Sequence, residues 1–232
     1  MFIQFIRRLL KVDVRNQSQS GNGSLVSKRG FTFVELMFVM IIFPMVGLAL
    51  YAMLDIATDI FYTGDIYYRL NSGCMQTLRY ISREIGQTSP LSAPSHLTLT
   101  TSSGFTVVRF QIPVDWDNDG DVVSGSLSPV TEWGAYDQAN QHTSGRLSGW
   151  VEYRIVNDPT LGNQLKRRVL DSTLTMVSGL DQVIASNVLT FTATLTSSTL
   201  RITLGQSALD RVGQRTLTAT FTSDTLLRNA VD

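Results

Sequence analysis

A chain of 232 residues with 43% hydrophobic and 9% aromatic content is long and apolar enough for one ordinary domain plus an extension, which excludes a disordered polypeptide. The formal charge is zero, yet residues 1–30 hold six Lys/Arg against one Asp, and the remainder thirteen against eighteen, so neutrality averages two unlike parts. Cys74 is the one cysteine, which excludes an intrachain disulfide and a cysteine-rich metal site.

In chain order, "MFIQFIRRLLKV" is a basic, amphipathic stretch of the kind that lies on an anionic membrane surface, and "NQSQSGNGS" after it reads as a flexible linker. A start codon placed too early accounts equally well for this length, although no methionine lies between Met1 and Met37. From Phe31 to Leu54 run twenty-four residues with a single charge, Glu35. A helix of about 20 apolar residues crosses a bilayer core, so this run predicts a membrane helix. Lys28 and Arg29 precede it and Asp55 and Asp59 follow it, which puts the N-terminus in the cytoplasm and the remainder outside. The run is too long for a signal-peptide core, and the small residue, Gly30, stands before it rather than after.

These residues carry a resemblance. "KRGFTFVEL" resembles the processing site of type IV prepilins and type II secretion pseudopilins, the class III signal. By that resemblance a prepilin peptidase recognises Lys28, Arg29, Gly30 and Phe31, cuts after Gly30 and methylates Phe31, and Glu35 becomes the fifth mature residue. A carboxylate inside hydrocarbon costs about 2.5–3.5 kcal/mol on insertion scales and persists only with a partner. In a helical stack of subunits the Phe31 amine of one chain meets Glu35 of its neighbour and the pair encodes register; alternatively Glu35 merely sits near the headgroups. Pro44, with Gly47 after it, predicts a kink or locally melted turn, because proline removes one helical hydrogen bond and crowds the Met40 carbonyl. Such a break either helps the helix adapt to a filament or is simply tolerated in a membrane.

Ile56, Ile60, Tyr67, Leu70, Cys74, Leu78, Ile81 and Ile85 recur at helical spacing before Gly86 and Pro90 end the pattern. They predict one helix of about 55 residues, roughly 80 Å long, whose second half lays this stripe on a globular domain with Cys74 as a small buried hydrophobe. From His96 the period changes to two. "HLTLTT" and "FTVVRFQIPV" predict a hairpin about Ser102, Ser103 and Gly104; "GWVEYRIVND" pairs with "QLKRRVLD"; "NVLTFTATL", "TLRITLG" and "RTLTATFT" complete a sheet of six or so strands. The fold class is therefore α+β. The resemblance implies a pilin fold, a long N-terminal helix packed on an antiparallel sheet, nearest to minor subunits of the J type or the PilW-like type, which often show a strand, an acidic glycine-containing loop and a tyrosine-bearing strand. The expected organisation is a leader over 1–30, a membrane helix over 31–54, its amphipathic continuation over 55–88 and a periplasmic β-rich domain over 89–232.

"DWDNDGD" places Asp115, Asp117, Asp119 and Asp121 about Gly120, matching the D-x-D-x-D-G opening of a calcium loop. Its twelfth position is Ser126 rather than glutamate, so Asp121 or a folded-back Glu132 would have to complete the set, or the segment is a solvated acidic turn. His96 and His142 are expected on loop surfaces, and no hydrolase or phosphate-binding motif is present, so no enzymatic activity is expected. Lys166, Arg167 and Arg168 alternate faces along a strand and form no continuous basic stripe, which argues against nucleic acid. The resemblance implies a minor pilin or pseudopilin in a type II secretion pseudopilus or type IV pilus tip, single-pass in the inner membrane, with other subunits and the peptidase as partners and calcium as the sole candidate cofactor. The alternative is a pilin-like protein of DNA uptake or adhesion.

Overall fold

The computed structural model describes residues 32–89, 95–115, 117, 119, 121–124, 130–136, 145–210 and 215–227. The leader residues and Phe31 lie outside these, as do His142, Gly120 and Ser126. The chain divides into two compact units, one up to Ala52 and one from Met53 onward.

One helix, α1, spans Phe33–Ile85, 53 residues. Its most apolar stretch is long enough to cross a membrane and none of it is buried. Phe43 is 78% exposed and Met40 68%, and no side chain from Phe33 to Leu54 is buried. Such a surface needs an apolar surrounding. The helix runs unbroken through Pro44 and Gly47, so the locally melted turn expected there is not formed. One missing N–H removes one bond of the ladder, and the turns on either side hold the backbone helical.

In the second unit the expected stripe is covered only from Leu70 onward. Leu70, Cys74, Leu78, Ile81 and Ile85 are buried, whereas Ile56, Ile60 and Tyr67 remain exposed at 62%, 66% and 41%. Sequence spacing fixes which residues share a face, and the extent of the sheets fixes how many of them are covered.

The β region forms several sheets rather than the single one expected. A hairpin of β1 (Leu97–Ser102) and β2 (Phe105–Phe110) turns at Ser103 and Gly104, both at positive φ (53° and 82°), the conformation of a primed two-residue turn. Two short strands, β3 (Ile112–Pro113) and β4 (Val123–Ser124), flank the acidic loop, and β5 (Val130–Thr131), β6 (Trp133–Tyr136) and β7 (Gly145–Leu147) follow. Next come β8 (Trp150–Asp158), β9 (Gly162–Leu170), β10 (Met176–Ala185), β11 (Val188–Thr196), β12 (Thr199–Leu209) and β13 (Thr216–Leu226). The main sheet has order β1-β2-β8-β9-β10, a second has order β11-β12-β13, and β3-β6-β7 and β4-β5 are small additions. All pairings are antiparallel. Strand β10 was not anticipated, because Gly179 and two register shifts interrupt its alternation.

One core joins the covered part of α1 to both larger sheets, through Val108, Phe110, Tyr153 and Leu165 on one side and Phe191, Leu200, Ile202 and Leu204 on the other. Cys74 lies in it with no exposed surface, its thiol 3.0 Å from Gln206 Oε1, and burial pushes the thiol pKa up. It is the small buried hydrophobe expected.

Candidate functional site

The N-terminus of α1 shows what Glu35 does within its own chain. Thr32 precedes the first helical residue, and its backbone N–H and hydroxyl both donate to Glu35 Oε2, at 3.0 and 3.1 Å. The Glu35 N–H in turn donates to Thr32 Oγ1 at 3.3 Å. This reciprocal arrangement is a capping box, which satisfies backbone donors that a helix start leaves unpaired. Its signature, T-x-x-E before an apolar run, stands in "TFVE", so a partner for Glu35 within its own chain is legible in the sequence beside the partners outside the chain expected for it. Lys28, Arg29, Gly30 and Phe31 lie outside the described residues.

A second cluster fastens α1 to the main sheet. Glu84, the penultimate residue of the helix, accepts from Arg167 Nε at 3.0 Å, from Arg167 Nη2 and from the Tyr153 hydroxyl, while Arg167 Nη2 also donates to the Tyr136 carbonyl at 3.1 Å. The Arg167 side chain is 4% exposed and that of Glu84 15%. Burial works against the Arg167 charge, but the hydrogen bonds and charge of Glu84 outweigh it and hold the guanidinium pKa above its ordinary value. Burial and then the Glu84 charge raise Tyr153 well above the usual phenol range, and the same two causes push Tyr80 up to about 12. The middle residue of "KRR" is thus an internal strut. Its neighbour Lys166 bonds Asp181 at 3.3 Å, and Arg168 is half-buried, so the three form no basic surface.

The Tyr80 shift has an alkaline consequence. A folded pKa above the ordinary 10.0 means that the native state holds the phenol proton more tightly, so stability is unaffected below pH 10 and falls as pH rises through 12. Tyr80→Phe is therefore expected to flatten the loss of melting temperature between pH 10 and 12 while changing little at pH 7. An identical alkaline decline in the variant would remove Tyr80 from this role.

On β8, on the face opposite Tyr153, Glu152 is buried and accepts from Arg109 Nε at 2.7 Å, with Arg154 Nη1 at 3.8 Å. His96 is buried rather than on a loop surface. Its ring stacks on Trp133 at 4.2 Å between centroids, and Nδ1 lies 2.7 Å from Gln111 Oε1. Period-two reading placed His96 correctly at a strand start but gave no sign of the aromatic that covers it.

In the acidic loop, Asp115, Asp117 and Asp119 bring one carboxylate oxygen each to within 4.8 Å of one another. Asp121 is not in this group; its Oδ1 accepts from the Val122 N–H at 2.7 Å. The three also serve the turn, since the Asp119 N–H donates to Asp115 Oδ1 and Asp117 Oδ1 and the Asp121 N–H donates to Asp119 Oδ1. Glu132 lies between the loop's two stems, its carbonyl accepting from Val114 N and its N–H donating to Val122 O. Glu132 is 4% exposed, and among the described residues its Oε2 has no hydrogen-bond partner.

No family model, curated protein or solved structure matches this chain.

Proposed function

We propose that this chain is a minor pilin or pseudopilin with a pilin fold, a structural subunit of the tip or initiating complex of a type II secretion pseudopilus or type IV pilus. It is made as a single-pass inner-membrane protein with a periplasmic β domain, cut after Gly30, methylated at Phe31 and assembled with other subunits of the same kind. The observation that carries this reading is the sequence Lys28-Arg29-Gly30-Phe31 with Glu35, where Glu35 is the one charge in the first twenty residues of an otherwise apolar and uncovered helix start. Its work is assembly. The capped start of α1 supports the reading, because it gives the new N-terminus a defined helical geometry from Phe33 onward. Co-expression with a prepilin peptidase is expected to remove residues 1–30 and expose Phe31, and Gly30→Ala to suppress the cut. A mature N-terminus mapped downstream of Leu54 would end this reading.

At the acidic loop we propose a calcium ion held by Asp115, Asp117 and Asp119, supported by the convergence of three hard oxygen donors that would otherwise repel one another. Calcium at a hundredfold excess over Kd then stabilises the folded domain by about 2.7 kcal/mol. The melting temperature is expected to rise by several degrees with calcium, and Asp117→Asn and Asp119→Asn to abolish the rise without lowering the calcium-free value. A melting temperature indifferent to both millimolar calcium and chelator reduces the loop to an acidic turn.

A further inference from the structure

The second sheet ends in an edge that its own chain leaves open. Strand β13 is eleven residues long and pairs with β12 at all eleven positions without a register shift. The pairing continues past both ends, Leu227 N–H donating to Ser198 O and Asp210 N–H to Arg215 O, each at 2.9 Å and each in register. Odd-numbered residues of β13 therefore turn their backbone groups to β12, and even-numbered ones, Thr216 to Leu226, turn theirs to the outer edge. Among the described residues those outer groups have no partner.

The other long edges are blunted. Strand β10 has two register shifts and a glycine at φ 80°, β11 has one shift and an N–H, that of Ala193, already bonded to Thr106 Oγ1, and β1 is only six residues long. Strand β13 has no Lys, no Pro and no bulge, and its one charge, Asp224, is bonded twice to Arg201, at 2.8 and 2.9 Å. Soluble proteins normally protect such an edge.

A cleft of about 610 Å³ lies beside its C-terminal half, between Ser82, Arg83, Gly86 and Gln87 of the α1 end and Asp224, Thr225 and Leu226 of β13. Among the described residues Arg83 is exposed and has no carboxylate paired to it. We propose that the outer edge of β13 and this cleft form a docking groove for an extended, acid-bearing segment of another protein. Its backbone adds a strand to the sheet, and its inward side chains enter the cleft toward Arg83. Asp224, the one carboxylate of β13, is already bonded to Arg201, so a second copy of this edge brings no free acid to Arg83 and the occupant is a different chain.

The test uses the full-length chain in detergent micelles and a synthetic peptide alternating threonine and valine with one glutamate on its valine face. Bound peptide is expected to slow amide exchange at Thr218, Thr220, Thr222 and Asp224 by roughly tenfold or more. The same peptide N-methylated at alternate residues should have no effect. Thr220→Pro removes one outward N–H and leaves the β12 ladder intact, so it should keep the melting temperature and lose the protection. Arg83→Gln should bind the glutamate peptide no better than its glutamine counterpart. Unchanged exchange with peptide present, or peptide bound equally by Thr220→Pro, would overturn the groove. A homodimer that Thr220→Pro dissolves would overturn the choice of occupant, whereas failure of the groove leaves the cleavage experiment at Gly30 unaffected.

Discussion

Arg167→Ala is expected to lower the melting temperature of the detergent-solubilised chain by roughly 6–20 °C. Removing one member of a buried ion pair costs about 3–5 kcal/mol, and a domain of this size loses about 2–4 °C per kcal/mol. The loss is large because Glu84 would then stay beneath the sheet with only the Tyr153 hydroxyl to answer its charge, while the Tyr136 carbonyl loses a donor as well. Replacing both partners by apolar side chains of similar volume, Arg167→Met with Glu84→Leu, should recover most of the loss, since no unpaired charge remains. Equal damage from the single and double variants would show that packing rather than charge pairing explains the effect. An Arg167→Ala protein within about 1 kcal/mol of wild type would show that the cluster does not fasten the helix to the sheet.

The second large effect concerns assembly. Glu35→Ala is expected to leave membrane insertion and cleavage after Gly30 intact and to abolish most incorporation into filaments. The capping box makes the control variant informative. Thr32→Ala removes the hydroxyl that exchanges bonds with Glu35 but keeps the carboxylate, and loss of an N-cap side chain costs about 1 kcal/mol. If the carboxylate meets the Phe31 amine of a neighbouring chain, Thr32→Ala should assemble nearly as well as wild type. Should the two variants fail alike, the cap alone accounts for Glu35 and intersubunit pairing is unnecessary. Failure of Glu35→Ala to be cleaved or inserted would place its role earlier, at processing.

These two residues show where sequence reading reaches and where it stops. The Thr32–Glu35 cap was legible, because it joins residues three apart and its geometry is set by the helix itself. Glu84 and Arg167 stand 83 positions apart, and in the sequence Arg167 was one of three consecutive cations on a strand. Period two correctly turned it away from Lys166 and Arg168, but only the docking of α1 showed that its face is the covered one and that a glutamate waits there.

By itself the sequence determined the long N-terminal helix, its uncovered apolar half, the β1–β2 hairpin, the β8–β9 pair and the three strands of the second sheet, because periodicity and turn chemistry are local properties of the chain. Tertiary structure decided how the strands divide among sheets, that the helical stripe is covered from Leu70 and not from Ile56, that His96 is buried against Trp133, and that Asp121 stands apart from the other three aspartates. It also decided that β13 is the long edge left unprotected among the described residues. The physical reason is common to all of these. Period and spacing specify which side chains share a face, but burial, ion pairing and edge protection depend on what the rest of the chain brings to that face, and those contacts join residues far apart in sequence.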